Sequence, residues 1–204
     1  MPTKKEIENL IDLAKEKFTS GSFEASIKIL DEIIELNPDK ESILLAYFYR
    51  ATVNSELGEN DNAIIDFSKM IEINPEAQNY RNRAQTYTKI KNYKLAIHDY
   101  DKAIKNDPDQ SEYYYFRGLC KSVLKDHKSA RQDYVMAEEL GYEYKDKEGF
   151  PLSKLISKSL NDEIKQKNKS QEEGKLKDFT DSLVNKEGKG KVLRFSHQLR
   201  KTKK

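Results

Sequence analysis

The stretch that decides the fold runs from Arg83 to Ile104, RAQTYTKIKNYKLAIHDYDKAI. Its second half places Ala96, Ile97, Tyr100, Ala103 and Ile104 at helical spacing, the pattern of a helix that buries one face. Its first half is helix-like around Ala84, and KIKNY between the halves reads as a tight turn. Asp99 sits at the margin of the apolar stripe, where a carboxylate is costly to bury unless it is paired. The stretch therefore predicts helix, turn, helix, and asks what an acid does against the core.

The same arrangement recurs along the chain. Ala14, Ala51, Ala84 and Gly118 are small residues inside apolar, helix-like segments. Twelve residues after each comes Ser26, Ala63, Ala96 or Ala130; sixteen after, Leu30, Phe67, Tyr100 or Tyr134; nineteen after, Ile33, Met70, Ala103 or Ala137. TSGSF, ELGEN, KIKNY and VLKDH mark the turns between halves, and Asn37-Pro38, Asn74-Pro75 and Asp107-Pro108 close three of the units. Proline cannot continue a helix and biases the residue before it away from helical geometry. Each unit is thus a pair of antiparallel helices that the small residues allow to approach closely.

The steps between units are 37, 33 and 34 residues. With the phrases YRNRAQTY, AIIDFSKMIEINP and AIHDYDKAIKNDP, this pattern resembles the tetratricopeptide repeat, a helical-repeat family with a unit of about 34 residues. The resemblance covers roughly residues 6 to 141. It implies an all-α, right-handed solenoid of about four helix-turn-helix repeats, with first helices lining a concave groove that takes a peptide or a partner's helix. Three extra residues between the first two units fall around DKESI, and the fourth unit ends in ELGYEY without a proline.

Asp99 has counterparts. Arg50 and Asp66, Arg83 and Asp99, and Arg117 and Asp133 are each sixteen residues apart, while the first unit has Leu13 and Ile29 in the same places. Arginine and aspartate disappear together, so the two side chains are expected to meet, within a unit or across to its neighbour. A catalytic carboxylate would have no reason to recur three times and vanish with its arginine.

On the family pattern, the groove-facing residues of the first helices include Ile11, Lys15 and Phe18 in unit one, and Leu45, Phe48 and Thr52 in unit two. Gln78, Arg81, Gln85, Thr88 and Lys89 follow in unit three, and Tyr115, Leu119 and Ser122 in unit four. The core prediction for partner contact is Phe48, Thr52, Gln78, Arg81, Gln85, Lys89, Tyr115 and Leu119. Arg81 and Lys89 would hold a carboxylate or phosphate, Phe48 and Tyr115 apolar side chains. Chaperone-binding members of the family clamp a C-terminal carboxylate with lysine, asparagine and arginine at set positions. Ile11, Lys15, Tyr49, Gln78 and Asn82 stand there in one register, and Phe48, Thr52, Asn82, Glu112 and Phe116 in the other. Only Asn82 fits, so that function is not carried over.

The 204-residue chain is uneven. All twelve tyrosines fall at or before Tyr144, and the last forty residues, from Lys165, carry 13 Lys or Arg against 5 Asp or Glu. The body is mildly acidic and the end basic. The expected organisation is a four-repeat domain over 1–142, a linker with a C-terminal capping helix over 143–169, and a basic, flexible tail over 170–204. Leu152, Leu155, Ile156, Leu160 and Ile164 would form the capping face over 151–168, and NKEGKGKV and KNKSQEEGKLKDF read as linker. VLRFSHQLRKTKK has the makings of a basic amphipathic helix, which gives the alternative function: association with nucleic acid or an anionic membrane surface, mainly electrostatic.

No reaction centre is visible. His98, His127 and His197 are scattered without metal-ligand spacing, Cys120 is the single cysteine, and no glycine-rich phosphate loop occurs. His127 holds a turn place occupied elsewhere by Phe23 and Tyr93, which suits packing. The sequence thus predicts a non-enzymatic adaptor, without metal or cofactor, with no secretory signal and no apolar run of about 18 residues. A cytoplasmic location is expected.

Overall fold

The computed structural model describes residues 2–143 and, beyond them, 165–166, 169–171, 173–175 and 177–178. The chain divides into two units, Met1–Ser153 and Lys154–Lys204. In the first, eight helices follow one another among the described residues: α1 (Lys4–Thr19), α2 (Phe23–Leu36), α3 (Lys40–Leu57), α4 (Asn60–Ile73), α5 (Ala77–Lys89), α6 (Tyr93–Asn106), α7 (Ser111–Val123) and α8 (His127–Glu139). They pack as the pairs α1–α2, α3–α4, α5–α6 and α7–α8, and each pair stacks on the next through α2–α3, α4–α5 and α6–α7. This nearest-neighbour stacking is a solenoid of helical repeats.

The small and large apolar residues at fixed offsets make the core. All sixteen are buried, from Ala51 at 0% exposed to Met70 at 6%. Small residues bring the two helices of a pair together, and Leu30, Phe67, Tyr100 and Tyr134 fill the space this leaves. At Gly118 the approach is closest: a Cβ there would lie 2.7 Å from Cε1 of Tyr134, so only glycine fits without movement.

The four turns share one geometry. The residue seven after each small residue is left-handed: Gly21 (φ 79°), Gly58 (φ 82°), Lys91 (φ 61°) and Lys125 (φ 63°). One residue on, the amides of Ser22, Glu59, Asn92 and Asp126 donate to the carbonyls of Lys17, Asn54, Tyr87 and Lys121. This is the closing hydrogen bond of a Schellman turn, which satisfies carbonyls at the helix end.

The extra residues near DKESI lengthen α3, which has 18 residues against 13 in α5 and α7. Asp39 caps it by accepting from the amides of Glu41 and Ser42. The Ser42 hydroxyl also donates to Asp39 at 2.8 Å, and these bonds, the hydroxyl's first, hold the Asp39 carboxyl below its usual range.

The capping helix expected over 151–168 lies outside the described residues except at Lys165 and Gln166, which are helical. The described positions within 169–178 are helical and exposed, so helix extends into the stretch whose composition reads as linker. The spacing of Glu173 and Lys177, acid four residues before base, favours helix there. NKEGKGKV and VLRFSHQLRKTKK lie outside the described residues. Among the described residues no helix is long and apolar enough to cross a membrane.

Candidate functional site: a groove set between charge clamps

Each of the three arginines is a three-point clamp. Arg50 donates from Nε and Nη2 to the two carboxylate oxygens of Asp66 at 2.9 and 2.6 Å. Arg83 does the same with Asp99 at 2.7 and 2.8 Å, and Arg117 with Asp133 at 3.0 and 2.6 Å. The remaining Nη1 reaches back to the second helix of the preceding pair: to Asp31 at 2.5 Å, Ser68 at 2.9 Å and Asp101 at 2.7 Å. The aspartates are almost fully buried, at 1% exposed for Asp66 and Asp99 and 4% for Asp133. Both arrangements that the sequence leaves open, within a unit and across units, therefore occur on one guanidinium.

Asp31, Ser68 and Asp101 complete the clamps beyond the arginine–aspartate spacing. The signal was present, since each lies five residues after Ser26, Ala63 or Ala96. It is harder to read because one of the three is a hydroxyl, which satisfies the same N–H without a charge. Burial raises the pKa of Asp66 against the downward pull of Arg50. The guanidinium of Arg50 is held above its ordinary value, first by its hydrogen bond to Asp66.

On the other side of the first helices lies the groove. A cavity of about 210 Å³ is lined by Phe48, Thr52, Ser55 and Glu56 of α3, Phe67 of α4, and Arg81, Asn82, Gln85, Thr86 and Lys89 of α5. Five of the eight expected contact residues meet here: Phe48, Thr52, Arg81, Gln85 and Lys89. The other three stand apart from this lining. Gln78 donates to Asn82 Oδ1 at 3.0 Å. Tyr115 stacks on Tyr142 with ring centroids 4.2 Å apart and meets Phe116 edge-on. Leu119 is half-buried on α7. Ile11, expected in the groove, is instead a core residue at 3% exposed, packed in the cluster of α1, α2 and α3.

The cations in the cavity are already engaged. Arg81 pairs with Glu112 across to α7 at 3.0 Å, and Lys89 donates to Ser55 across to α3 at 2.7 Å. Glu56 lines the same cavity, so the wall is closer to charge balance than a list of first-helix bases suggests. The Arg81–Glu112 pair is half-exposed on the acid side at 52%, and such pairs contribute little stability, about 0–1 kcal/mol. A ligand group can therefore displace Glu112 at small cost. Beneath the groove, Arg81 Nε is buried without a hydrogen-bond partner among the described residues.

Cys120 is buried beside Thr88 Oγ1 at 3.4 Å, and burial pushes its thiol up, away from the reactive thiolate. Among the described residues no group of three His, Cys, Asp or Glu side chains could hold a metal ion.

Stacked helix pairs with a groove between successive first helices define an interaction module of the helical-repeat class. Residues 77–110 match the model of the tetratricopeptide repeat. The chain thus carries a tetratricopeptide repeat and is similar to proteins of that family, whose fold is a scaffold for protein–protein interaction. It is 28% identical over 170 residues to the DnaJ homolog subfamily C member 7 homolog of Dictyostelium discoideum, over 80% of this chain and 31% of that one. The chain spans between 14% and 31% of the length of the curated relatives it matches. Among solved structures, a tetratricopeptide repeat protein from Parabacteroides merdae superposes with a TM-score of 0.63 at 20% identity, over 69% of this chain and 55% of that one. The first such domain of Spaghetti (RPAP3), bound to an HSP90 peptide, gives 0.52 at 24% identity, over 58% and 93%.

Proposed function

We propose that this chain is a non-enzymatic adaptor that holds a peptide or helix of another protein in the groove between α3 and α5. The observation that carries this reading is the convergence of Phe48, Thr52, Arg81, Gln85 and Lys89 on one cavity. Phe48 and Phe67 offer an apolar wall, Gln85 an amide for a ligand backbone, and Arg81 with Lys89 a place for an acidic side chain. The groove is preformed by helices held in register by the arginine clamps, which limits the ordering cost of binding. The Spaghetti domain shows an HSP90 peptide on a related fold. In this chain Glu112 and Phe116 stand where a carboxylate clamp needs cations, so the ligand proposed is internal sequence rather than a chaperone's C-terminus.

The test is affinity capture with the intact chain, with Arg81→Glu, and with a chain lacking residues 170–204, each washed in rising salt. The expected result is a partner lost on Arg81→Glu and kept without the tail, with weak salt dependence. A partner kept by Arg81→Glu, lost with the tail and stripped steeply by salt overturns the groove reading. It would favour an anionic surface bound through the basic end.

A further inference from the structure

One place on the first helices carries a different residue type in neighbouring units: Lys17, Asn54, Tyr87 and Lys121, each three residues after the small residue. In unit three the Tyr87 ring lies against the Arg83 guanidinium, 5.9 Å from the centroid, and packs on the core. In unit four Lys121 reaches Asp133 at 2.8 Å. Asn54 in unit two is too short for either contact. A cavity of about 310 Å³ opens there, lined by Ile27 and Asp31 of α2, Arg50 and Asn54 of α3, and Asn62, Ile65 and Asp66 of α4.

Asn54 is only 7% exposed, and its side chain lines the cavity. A carboxamide on a cavity wall offers both a donor and an acceptor to a ligand hydroxyl. Ile65 forms part of the wall and is 56% exposed.

We propose that this cavity is a socket for a tyrosine side chain presented by a partner protein. Its volume is at the low end of ligand pockets, about 300 Å³, which suits one side chain rather than a cofactor. The chain itself shows the fit, because Tyr87 places a phenol ring against the corresponding arginine one unit on. Ile27 and Ile65 flank the ring, and the amides of Asn54 and Asn62 serve the hydroxyl. Two carboxylates, Asp31 and Asp66, against one guanidinium leave the lining net negative. That excludes an anionic ligand and makes phosphorylation of the incoming tyrosine a bar to binding. Arg50 and Asn54 are four residues apart on one face of α3, while Phe48, Thr52 and Ser55 lie on the opposite face. The socket is thus separate from the groove, and its occupancy does not depend on the groove reading.

The experiment is a titration of the isotope-labelled full chain by nuclear magnetic resonance, following the side-chain amides of Asn54 and Asn62. The probes are N-acetyltyrosinamide, its phenylalanine analogue and its phosphotyrosine analogue. The expected result is a saturable shift with the tyrosine probe, about five-fold weaker binding of the phenylalanine probe, and none of the phosphotyrosine probe. Asn54→Tyr fills the socket from within and should abolish the shift at Asn62. Ile65→Glu, at an exposed position, should weaken it without touching the clamp. No saturable shift, equal binding of the phosphotyrosine probe, or an unchanged Asn62 shift in both variants overturns the proposal.

Discussion

Where units two, three and four carry arginine on the first helix and aspartate on the second, unit one carries Leu13 and Ile29. The fold is the same on both sides of this comparison: α1 and α2 pair as α5 and α6 do. Ile29 packs on an apolar cluster of Ile7, Ile11, Leu30 and Ile33, whereas Asp99 is sealed beneath Arg83. Leu13, in the arginine's place, is 38% exposed. The charged clamp instead ties three helices, because its spare N–H reaches the preceding pair. A buried ion pair is often no more stabilising than an apolar replacement of similar volume. What the clamp adds is register between units, and a groove shared by α3 and α5 depends on that register.

The largest effect should come from breaking one clamp on one side. Asp99→Ala leaves Arg83, at 19% side-chain exposure, without its carboxylate, and should cost about 3–5 kcal/mol in urea unfolding. Arg83→Leu with Asp99→Ile recreates the unit-one solution and should recover most of that loss. A double variant as unstable as the sum of its single variants would show that the two side chains do not act as a pair.

A second effect sharpens the comparison of unit three with unit four. Ala84 faces Tyr100 where Gly118 faces Tyr134, yet only Gly118 lacks room for a methyl group. The Tyr134 hydroxyl is tied to Ser122 Oγ at 3.1 Å, which keeps the ring from swinging away. Gly118→Ala should therefore cost about 1–3 kcal/mol by overpacking, measured by the same unfolding curve. A stability equal to the parent's would mean that the ring yields freely.

The helix pairs were legible because their signals are local and repeated. Periodicity, turn residues and proline stops each speak within one unit, and repetition removes the ambiguity any single unit has. The longer α3 was legible only as three extra residues around DKESI, since sequence spacing does not say whether an insertion makes loop or helix. The groove was legible to the extent that helical periodicity sets direction. Phe48, Thr52, Arg81, Gln85 and Lys89 converge, but Ile11 does not, because α1 packs on both α2 and α3 and buries that face. Neither the capture of Arg81 by Glu112 nor the empty space beside Asn54 could be read. Both depend on distances across units, which no within-unit pattern encodes.

The smallest effect concerns the turns. Units one and two place Gly21 and Gly58 at the left-handed position, and units three and four place Lys91 and Lys125 at φ of 61° and 63°. For a residue with a Cβ, that conformation costs about 1–2 kcal/mol. Glycine removes this strain but returns about 0.4–1 kcal/mol through a freer unfolded chain. The net gain for Lys125→Gly should thus be about 0.5–1 kcal/mol, read as a small rise in thermal midpoint. Gly58→Lys should lose a similar amount, since nothing lies within 4 Å of a Cβ built there and only the backbone objects. If both changes are neutral, the backbone term is absent and the choice between glycine and lysine in these turns has another cause. If the gain appears at Lys125 and the loss at Gly58, the four turns are energetically as well as geometrically one motif.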